Sequence, residues 1–473
     1  MYTTFGEIKT DLKAGKTSVT HITHDYLNRI EEQKHLNAFV EVYKKNALDA
    51  AAVVDEKVKA GKAGKLAGMV IGVKDNICVK GNRVTAASKI LDRFESLYNA
   101  TVIERLIEED AVIIGRLNCD EFAMGSSNER SVYGKTLNPH DNKTVPGGSS
   151  GASAAAVAAG LCTVALGSDT GGSIRQPASF CGVTGFKPTY GRVSRYGLIA
   201  YGSSFDQIGP FSNNIEDSAL ILEVIAGSDP NDTTCSRRKV DAYSKSSPGS
   251  DRKKIAVIQD ALEHPGLDPE IKNQTEKFIA RLKAQGHEVE YVKFDLLDKM
   301  VPAYHVLSNA EASSNLSRFD GMRYGYRSKE AENPDTTYIK SRSEGFGTEV
   351  KRRIMMGTFV LSAGYYDAYY SKAQKVRRLI KDKTDELFGK FDFLISPTTP
   401  STAFQFGAKT DDPVKMYLED IFTVHANLAG TPAVSLPAGK HSNGMPFGIQ
   451  IMADRFEEKK LLDFSRSVEQ VLV

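Results

Sequence analysis

Residues 145–185 constrain what this chain can fold into more than any other stretch. They read VPGGSSGASAAAVAAGLCTVALGSDTGGSIRQPASFCGVTG, two Gly/Ser-rich turns separated by uncharged, mostly apolar residues. Ala152 to Ala159 reads as a helix and Cys162 to Leu166 as a buried strand. A membrane helix needs about 20 strongly apolar residues; here Gly160 interrupts the run and Asp169 ends it. Glycine reaches backbone conformations barred to other residues and lets a substrate approach the main chain. Successive N–H groups at such a turn form a nest for an anion. A serine beside them is placed as a nucleophile, with those N–H groups as its oxyanion hole.

Three chemistries compete at these turns. The chain has no G-x-x-x-x-G-K-[ST] and no G-x-G-x-x-G, which disfavours a nucleotide phosphate loop. Gly147-Gly148-Ser149-Ser150-Gly151 matches the esterase elbow G-x-S-x-G formally, but that elbow needs a strand before it, and Asn138 to Thr144 is loop chemistry. The third candidate is Ser173, which follows the predicted strand within Asp169-Thr170-Gly171-Gly172-Ser173-Ile174-Arg175. A serine hydroxyl needs a base at neutral pH, and no histidine lies near Ser173 in sequence. Lysine serves if it is neutral. At a pKa of about 10.4 only about 1 in 2,500 lysines is neutral at pH 7, and burial lowers that pKa. Lys74 stands just after an apolar strand, Met69 to Val73, where it can enter an interior. The same position also suits an ordinary paired lysine at a strand end.

The rest of the chain alternates strands and helices, which predicts a sheet covered by helices. Phe5, Ile8 and Leu12 share a helical face, and Thr20 to Lys59 reads as two or more helices. Further on, Ala100 to Asp110 reads as a helix and Ala111 to Gly115 as a strand. Other strands are expected at Lys254 to Ile258, Glu288 to Val292, Phe391 to Ile395, Ala433 to Leu436 and Phe447 to Ile451, with a helix near 268–285. Polar stretches at 228–253 and 327–348 read as loops. The chain's 61 Lys and Arg against 59 Asp and Glu give a weak overall field, unlike a protein that neutralises many phosphates unaided. Five widely spaced cysteines with no C-x-x-C disfavour a disulfide framework or zinc ribbon and suit a reducing cytosol. Nine histidines form no H-E-x-x-H, so no metal is expected. Met1 to Lys16 has no apolar stretch of the kind a secretory signal carries.

The ordered set G-V-K-D-N (72–76), P-G-G-S-S-G-A-S-A (146–154) and G-S-D-T-G-G-S-I-R-Q-P-A-x-x-C-G (167–182) resembles the amidase signature family. The spacings match too, with 75 positions from Lys74 to Ser149 and 24 from Ser149 to Ser173. The resemblance runs from about residue 5 to the C-terminus. It implies an α/β fold, a central mixed sheet with helices on both faces and a helical N-terminal region. It also implies one domain over 1–473: helices in 1–60, a catalytic core in 61–227, a polar loop in 228–253, and the rest of the sheet with substrate recognition in 254–473.

By that resemblance Ser173 is the acylating nucleophile, Ser149 a bridging serine after a cis peptide bond, and Lys74 the base. The N–H groups of Thr170, Gly171, Gly172 and Ser173 form the oxyanion hole. Segments Ala310 to Gly321, Glu349 to Tyr370, and Glu419 to Thr423 with Asn427 to Gly430 resemble the glutamine-hydrolysing subunits of tRNA-dependent amidotransferases. There Arg353 takes the glutamine carboxylate, Asp420 the α-ammonium, and Tyr304 contributes a hydroxyl. Read without the resemblance, Arg353 sits in the charge run Lys351-Arg352-Arg353 and suits a solvated face. Asp420 likewise suits a surface helix start, and Tyr304 suits packing. The resemblance further implies a cytoplasmic heterotrimer, in which a larger B subunit joins this chain together with a small C subunit. ATP and Mg would then be used by the partner, tRNA contacted mainly through it, and no cofactor or membrane engaged by this chain. Ala152 stands where the family usually has a second glycine, and alanine suits a helix start. A free-standing amidase acting on other amides and a catalytically silent scaffold are the alternative readings.

Overall fold

The apolar runs do become strands, and they join one sheet. The computed structural model describes residues 2–245, 251–409 and 413–472. Among these, eleven strands are found: β1 (Phe39–Val42), β2 (Val70–Lys74), β3 (Val112–Leu117), β4 (Val164–Asp169), β5 (Thr184–Lys187), β6 (Gln207–Ser212), β7 (Lys254–Ile258), β8 (Glu288–Val292), β9 (Phe393–Pro397), β10 (Ala433–Lys440) and β11 (Pro446–Met452). Their order across the sheet is β1-β3-β2-β4-β6-β5-β10-β11-β9-β7-β8. The sheet is mixed. β2 runs parallel to β3 and β4, and β7 parallel to β8 and β9. β4 to β6, β6 to β5, β5 to β10 and β10 to β11 are antiparallel. β2, β4, β5, β6, β9 and β11 are buried along their whole length, as strands covered on both faces must be.

The helices that cover the sheet form for readable reasons. Phe5–Lys13 opens with a capping box between Thr4 and Glu7 and buries Phe5 and Ile8. The helix Gly151–Ala158 is almost all alanine and small residues. That lets its backbone lie close on β4, where Ser153 Oγ donates to the Leu166 carbonyl (3.1 Å).

Several elements differ from expectation. Residues 1–60 are not wholly helical, because β1 lies between the helices Val19–Glu32 and Lys44–Lys59. Lys74 is the last residue of β2 rather than the first after it. The expected loop at 327–348 contains the helix Pro334–Gly345, nucleated by a capping box between Asn333 and Thr336 and by Pro334 in the first turn. That helix shows no apolar stripe, so periodicity could not find it. The polar stretch 228–253 is irregular over 228–245 apart from a short turn at Tyr243–Lys245, and residues 246–250 lie outside the described part. Among the described residues no helix is long and apolar enough to cross a membrane.

Candidate active site

The topology brings the first two candidates together. β2 and β4 are adjacent and parallel, so their carboxyl ends lie side by side, where open α/β sheets bind ligands. Lys74 ends β2 and Asp169 ends β4. Ser149 and Ser150 immediately precede the helix Gly151–Ala158, and the Gly148–Ser149 peptide is cis. Lys74 Nζ lies 2.8 Å from the hydroxyl oxygens of Ser149 and Ser150 and 3.0 Å from that of Ser168. Lys74 and Ser149 are fully buried, while Ser173 keeps 8% exposure. Of these three side chains, Ser173 is the least enclosed. Its hydroxyl has no hydrogen-bond partner among the described residues.

The hydroxyls around Lys74 have fixed roles. Ser150 Oγ donates to the Ser168 carbonyl (3.1 Å), so it accepts from the lysine. Ser168 Oγ accepts from Asn76 Nδ2 (2.9 Å) and from the lysine. A neutral amine has two N–H groups and one lone pair. With both N–H groups committed, the lone pair is left for the Ser149 proton. Burial pushes Lys74 down to about 8, so about one in ten is neutral at pH 7. Lys187 is also fully buried and lies lower still, at about 7. Its Nζ donates to the Pro188 carbonyl (2.8 Å) and meets none of these serines, so geometry selects Lys74.

The turn carrying Ser173 is held from below. Asp169 accepts from the backbone N–H of Gly172 (2.9 Å) and Ile174 (3.1 Å), and from Arg175 Nε (3.1 Å) and Nη2 (2.9 Å). Arg175 also donates to the Thr423 carbonyl, Gln450 and Asn427. Burial alone would raise Asp169, but the Arg175 guanidinium outweighs it and holds the carboxyl at about 2. Because Gly172 N–H is already spent on Asp169, the N–H groups of Thr170, Gly171 and Ser173 remain for an oxyanion. Gly172 has φ +139°, and a Cβ there would meet Thr423 Oγ1 at 2.2 Å. A Cβ at Gly171 would meet the Tyr304 hydroxyl at 2.6 Å. Glycine at these two positions lets Thr423 and Tyr304 press against the turn.

Two of the expected substrate residues adjoin this turn: Tyr304 packs on Gly171, and Asp420 lies three residues before Thr423, whose hydroxyl donates to the Gly171 carbonyl (2.8 Å). Arg353 is 5% exposed and does not lie on a solvated face. Its Nε donates to Glu349 (2.9 Å) and its Nη1 to the Tyr201 hydroxyl (2.6 Å). Glu349 also pairs with Arg130 and Arg352 and accepts from Tyr417 (3.0 Å). Burial opposes its charge, but Arg353 and Arg130 hold it at about 2. Asp420 is 9% exposed and accepts from Ser126 Oγ (2.6 Å). Burial pushes it up to about 7, with Glu419 adding to the rise. Tyr304 is buried, edge-on to Phe205 with centroids 5.6 Å apart. Thr170 Oγ1 donates to Asp206 (2.6 Å), tying the other end of the turn. Among the described residues no three His, Cys, Asp or Glu side chains gather as a metal would require. All five cysteines are unpaired.

A family model described as Amidase matches residues 21–462. The chain belongs to the Amidase family. It is 49% identical over 475 residues to the A subunit of glutamyl-tRNA(Gln) amidotransferase from Chlorobium phaeobacteroides, covering 100% of both chains. With that of Koribacter versatilis it shares 51% over 460 residues, 97% of this chain and 96% of the relative. Among solved structures, the corresponding glutamyl-tRNA(Gln) amidotransferase protein of Thermotoga maritima is 42% identical with a TM-score of 0.79. That match covers 96% of this chain and 91% of the other.

Sequence reading of this Amidase-family chain missed several residues that complete the site. Ser150 and Ser168 flank the candidate serines in sequence, but only the fold shows that they hold Lys74. Glu349 stands four residues before Arg353, a spacing that pairs charges on one helix face. Tyr201 and Ser126 carried no sequence signal.

Ionisation of the site gives a first expected outcome. If Lys74 acts as the free base, kcat/KM rises with pH and levels off above about 8, because burial has lowered the lysine to that value. Stopped assays of ammonia release between pH 6 and 9 check this. A flat profile across that range excludes Lys74 as the titrating base.

Proposed function

We propose that this chain is the glutamine-hydrolysing subunit of a tRNA-dependent amidotransferase. The observation that carries the reading is the buried pair Arg353 and Asp420, both close enough to act on Tyr304, which packs on Gly171 of the Ser173 turn. Free glutamine has a carboxylate that a guanidinium can grip and an ammonium that a carboxylate can accept. A site for simple apolar amides has no use for either charge. Near-half identity along the full length to proteins named as such subunits supports the same reading.

In this mechanism Arg353 and Asp420 hold the amino-acid end of glutamine, with the Tyr304 hydroxyl beside them. Ser173 Oγ attacks the side-chain carbonyl. Its proton passes to Ser149, and the Ser149 proton passes to the Lys74 lone pair. The oxyanion is received by the N–H groups of Thr170, Gly171 and Ser173, each such donor worth about 3–4 kcal/mol in the transition state. Lys74 returns the proton through Ser149 to the leaving nitrogen, which departs as ammonia and leaves a γ-glutamyl ester. Water activated by the same relay then releases glutamate. Ammonia is consumed by a partner that uses ATP and Mg to amidate Glu-tRNA(Gln), Asp-tRNA(Asn) or both, with a small third subunit completing a cytoplasmic heterotrimer.

Two measurements bear on this. Native material purified through a tag on this chain is assayed for ammonia release from glutamine and from a panel of simple amides. Release from glutamine, with two further chains co-purifying, is the expected result. Activity on simple amides alone, from a solitary chain, overturns the reading in favour of a free-standing amidase. Second, Arg353→Lys is expected to raise the KM for glutamine by about 10–100-fold, since the planar fork is lost. The KM of the unaltered protein should also fall as pH rises through about 7, where Asp420 gains its charge. A KM that ignores both changes removes these residues from the substrate site.

A further inference from the structure

The helix Leu297–Asn315 carries polar groups that the catalytic site does not use. His305 and Asn309, one turn apart, are 8% and 1% exposed. Among the described residues, both ring nitrogens of His305 and both amide atoms of Asn309 lack a hydrogen-bond partner. Unpaired buried groups of this kind are costly and call for a partner. They line a cavity of about 460 Å³ whose other walls are mostly apolar, Val301, Val306, Val360 and Ile421 among them, with Asp298 and His264 as further polar lining. The Tyr417 ring also borders it, with its centroid 3.9 Å from that of His305. None of Lys74, Ser149, Ser173, Arg353 or Asp420 lines this space; it adjoins the site described above across Tyr417, whose ring packs against Arg353.

We propose that this cavity is a second ligand site, for a small uncharged molecule with an apolar body and an N–H group beside a carbonyl, as in a lactam or a primary amide. The Asn309 carboxamide is the complement of such a group, offering a donor and an acceptor side by side. Burial pushes His305 down to about 3, so its ring stays neutral and adds one donor and one acceptor. The aliphatic walls accept the body of the ligand.

The test titrates two probes of similar size, the lactam 2-pyridone and toluene, into the full-length chain. A Ser173→Ala background with excess glutamine keeps the catalytic site occupied and silent. Binding is followed by ligand-observed NMR. 2-Pyridone is expected to saturate this protein and to bind about tenfold more weakly when Asn309→Leu is added. Toluene should shift in the opposite direction. Val306→Phe fills the cavity while leaving both polar side chains, and should abolish binding of both probes; it decides the matter if Asn309→Leu does not fold. No saturable 2-pyridone binding up to about 50 mM, a generous bound for so small a ligand, overturns the proposal. So does equal affinity across the variants. A crystal soaked in 2-pyridone that shows only water between His305 and Asn309 overturns it as well.

Discussion

Replacing Ser173 by alanine is expected to lower ammonia release from glutamine by about four to six orders of magnitude, as loss of a nucleophile does. The fold should be nearly untouched. Ser173 is the least enclosed member of the trio, and removing its oxygen strands no partner among the described residues. Removing a buried hydroxyl that leaves no partner unsatisfied is expected to change stability by about 1 kcal/mol or less. Steady-state ammonia assays beside a urea unfolding curve make the comparison. A large fall in activity with an unchanged midpoint is the expected pairing. Activity that survives within about tenfold removes Ser173 from the covalent step. A midpoint that falls along with activity would make Ser173 a structural residue instead.

The largest stability loss is expected at Arg175, which never meets the substrate in this account. Arg175→Met leaves the fully buried Asp169 carboxylate without its guanidinium and frees the Thr423 carbonyl, Gln450 and Asn427. Breaking one partner of a buried pair costs about 3–5 kcal/mol. Adding Asp169→Asn should recover part of that, because the stranded charge is then gone. The dependence on pH has a definite sign. In the native chain Asp169 sits at about 2, below the unfolded value near 3.9. Its contribution is therefore present above pH 4 and lost as pH falls toward 2. In Arg175→Met that acid-side loss should vanish. Urea midpoints between pH 3 and 7 for the three proteins check each point. An Arg175→Met protein as stable as wild type would show that the Ser173 turn does not rely on this clamp.

The linear motifs marked the candidate centre because its parts are local to two turns and one strand end. Lys74 ends β2, Ser149 lies in the turn before the helix Gly151–Ala158, and Ser173 lies in the turn after β4; the apolar runs of β2 and β4 marked them as buried strands, which the sheet pairs in parallel. What could not be read was assembled across the chain. Ser126 meets Asp420 across 294 positions, and Tyr201 meets Arg353 across 152. A charge run predicts a wet face, and Arg353 is dry because Glu349, Tyr201 and Tyr417 enclose it.

The same contrast holds for the fold. Strands β7 and β8 were legible to the residue, as isolated apolar or alternating runs. β6 was missed: Gly209-Pro210 is a turn-favouring pair, and here it sits inside a buried strand. β5 has four residues, one of them Gly185. β1 was hidden between two helices of similar composition, and it exists because Phe39 and Glu41 find partners on β3. Local propensity gave way to tertiary pairing in each case.

The central claim is that the side chain of Ser173 is acylated by the γ-carbonyl of glutamine. It is tested most directly by acid-quenching the protein during turnover of glutamine and mapping its peptides by mass spectrometry. The account predicts one γ-glutamyl group on the peptide that contains Ser173, absent in Ser173→Ala and absent without glutamine. A γ-glutamyl group on Ser149 or on any cysteine, with turnover intact in Ser173→Ala, would contradict it.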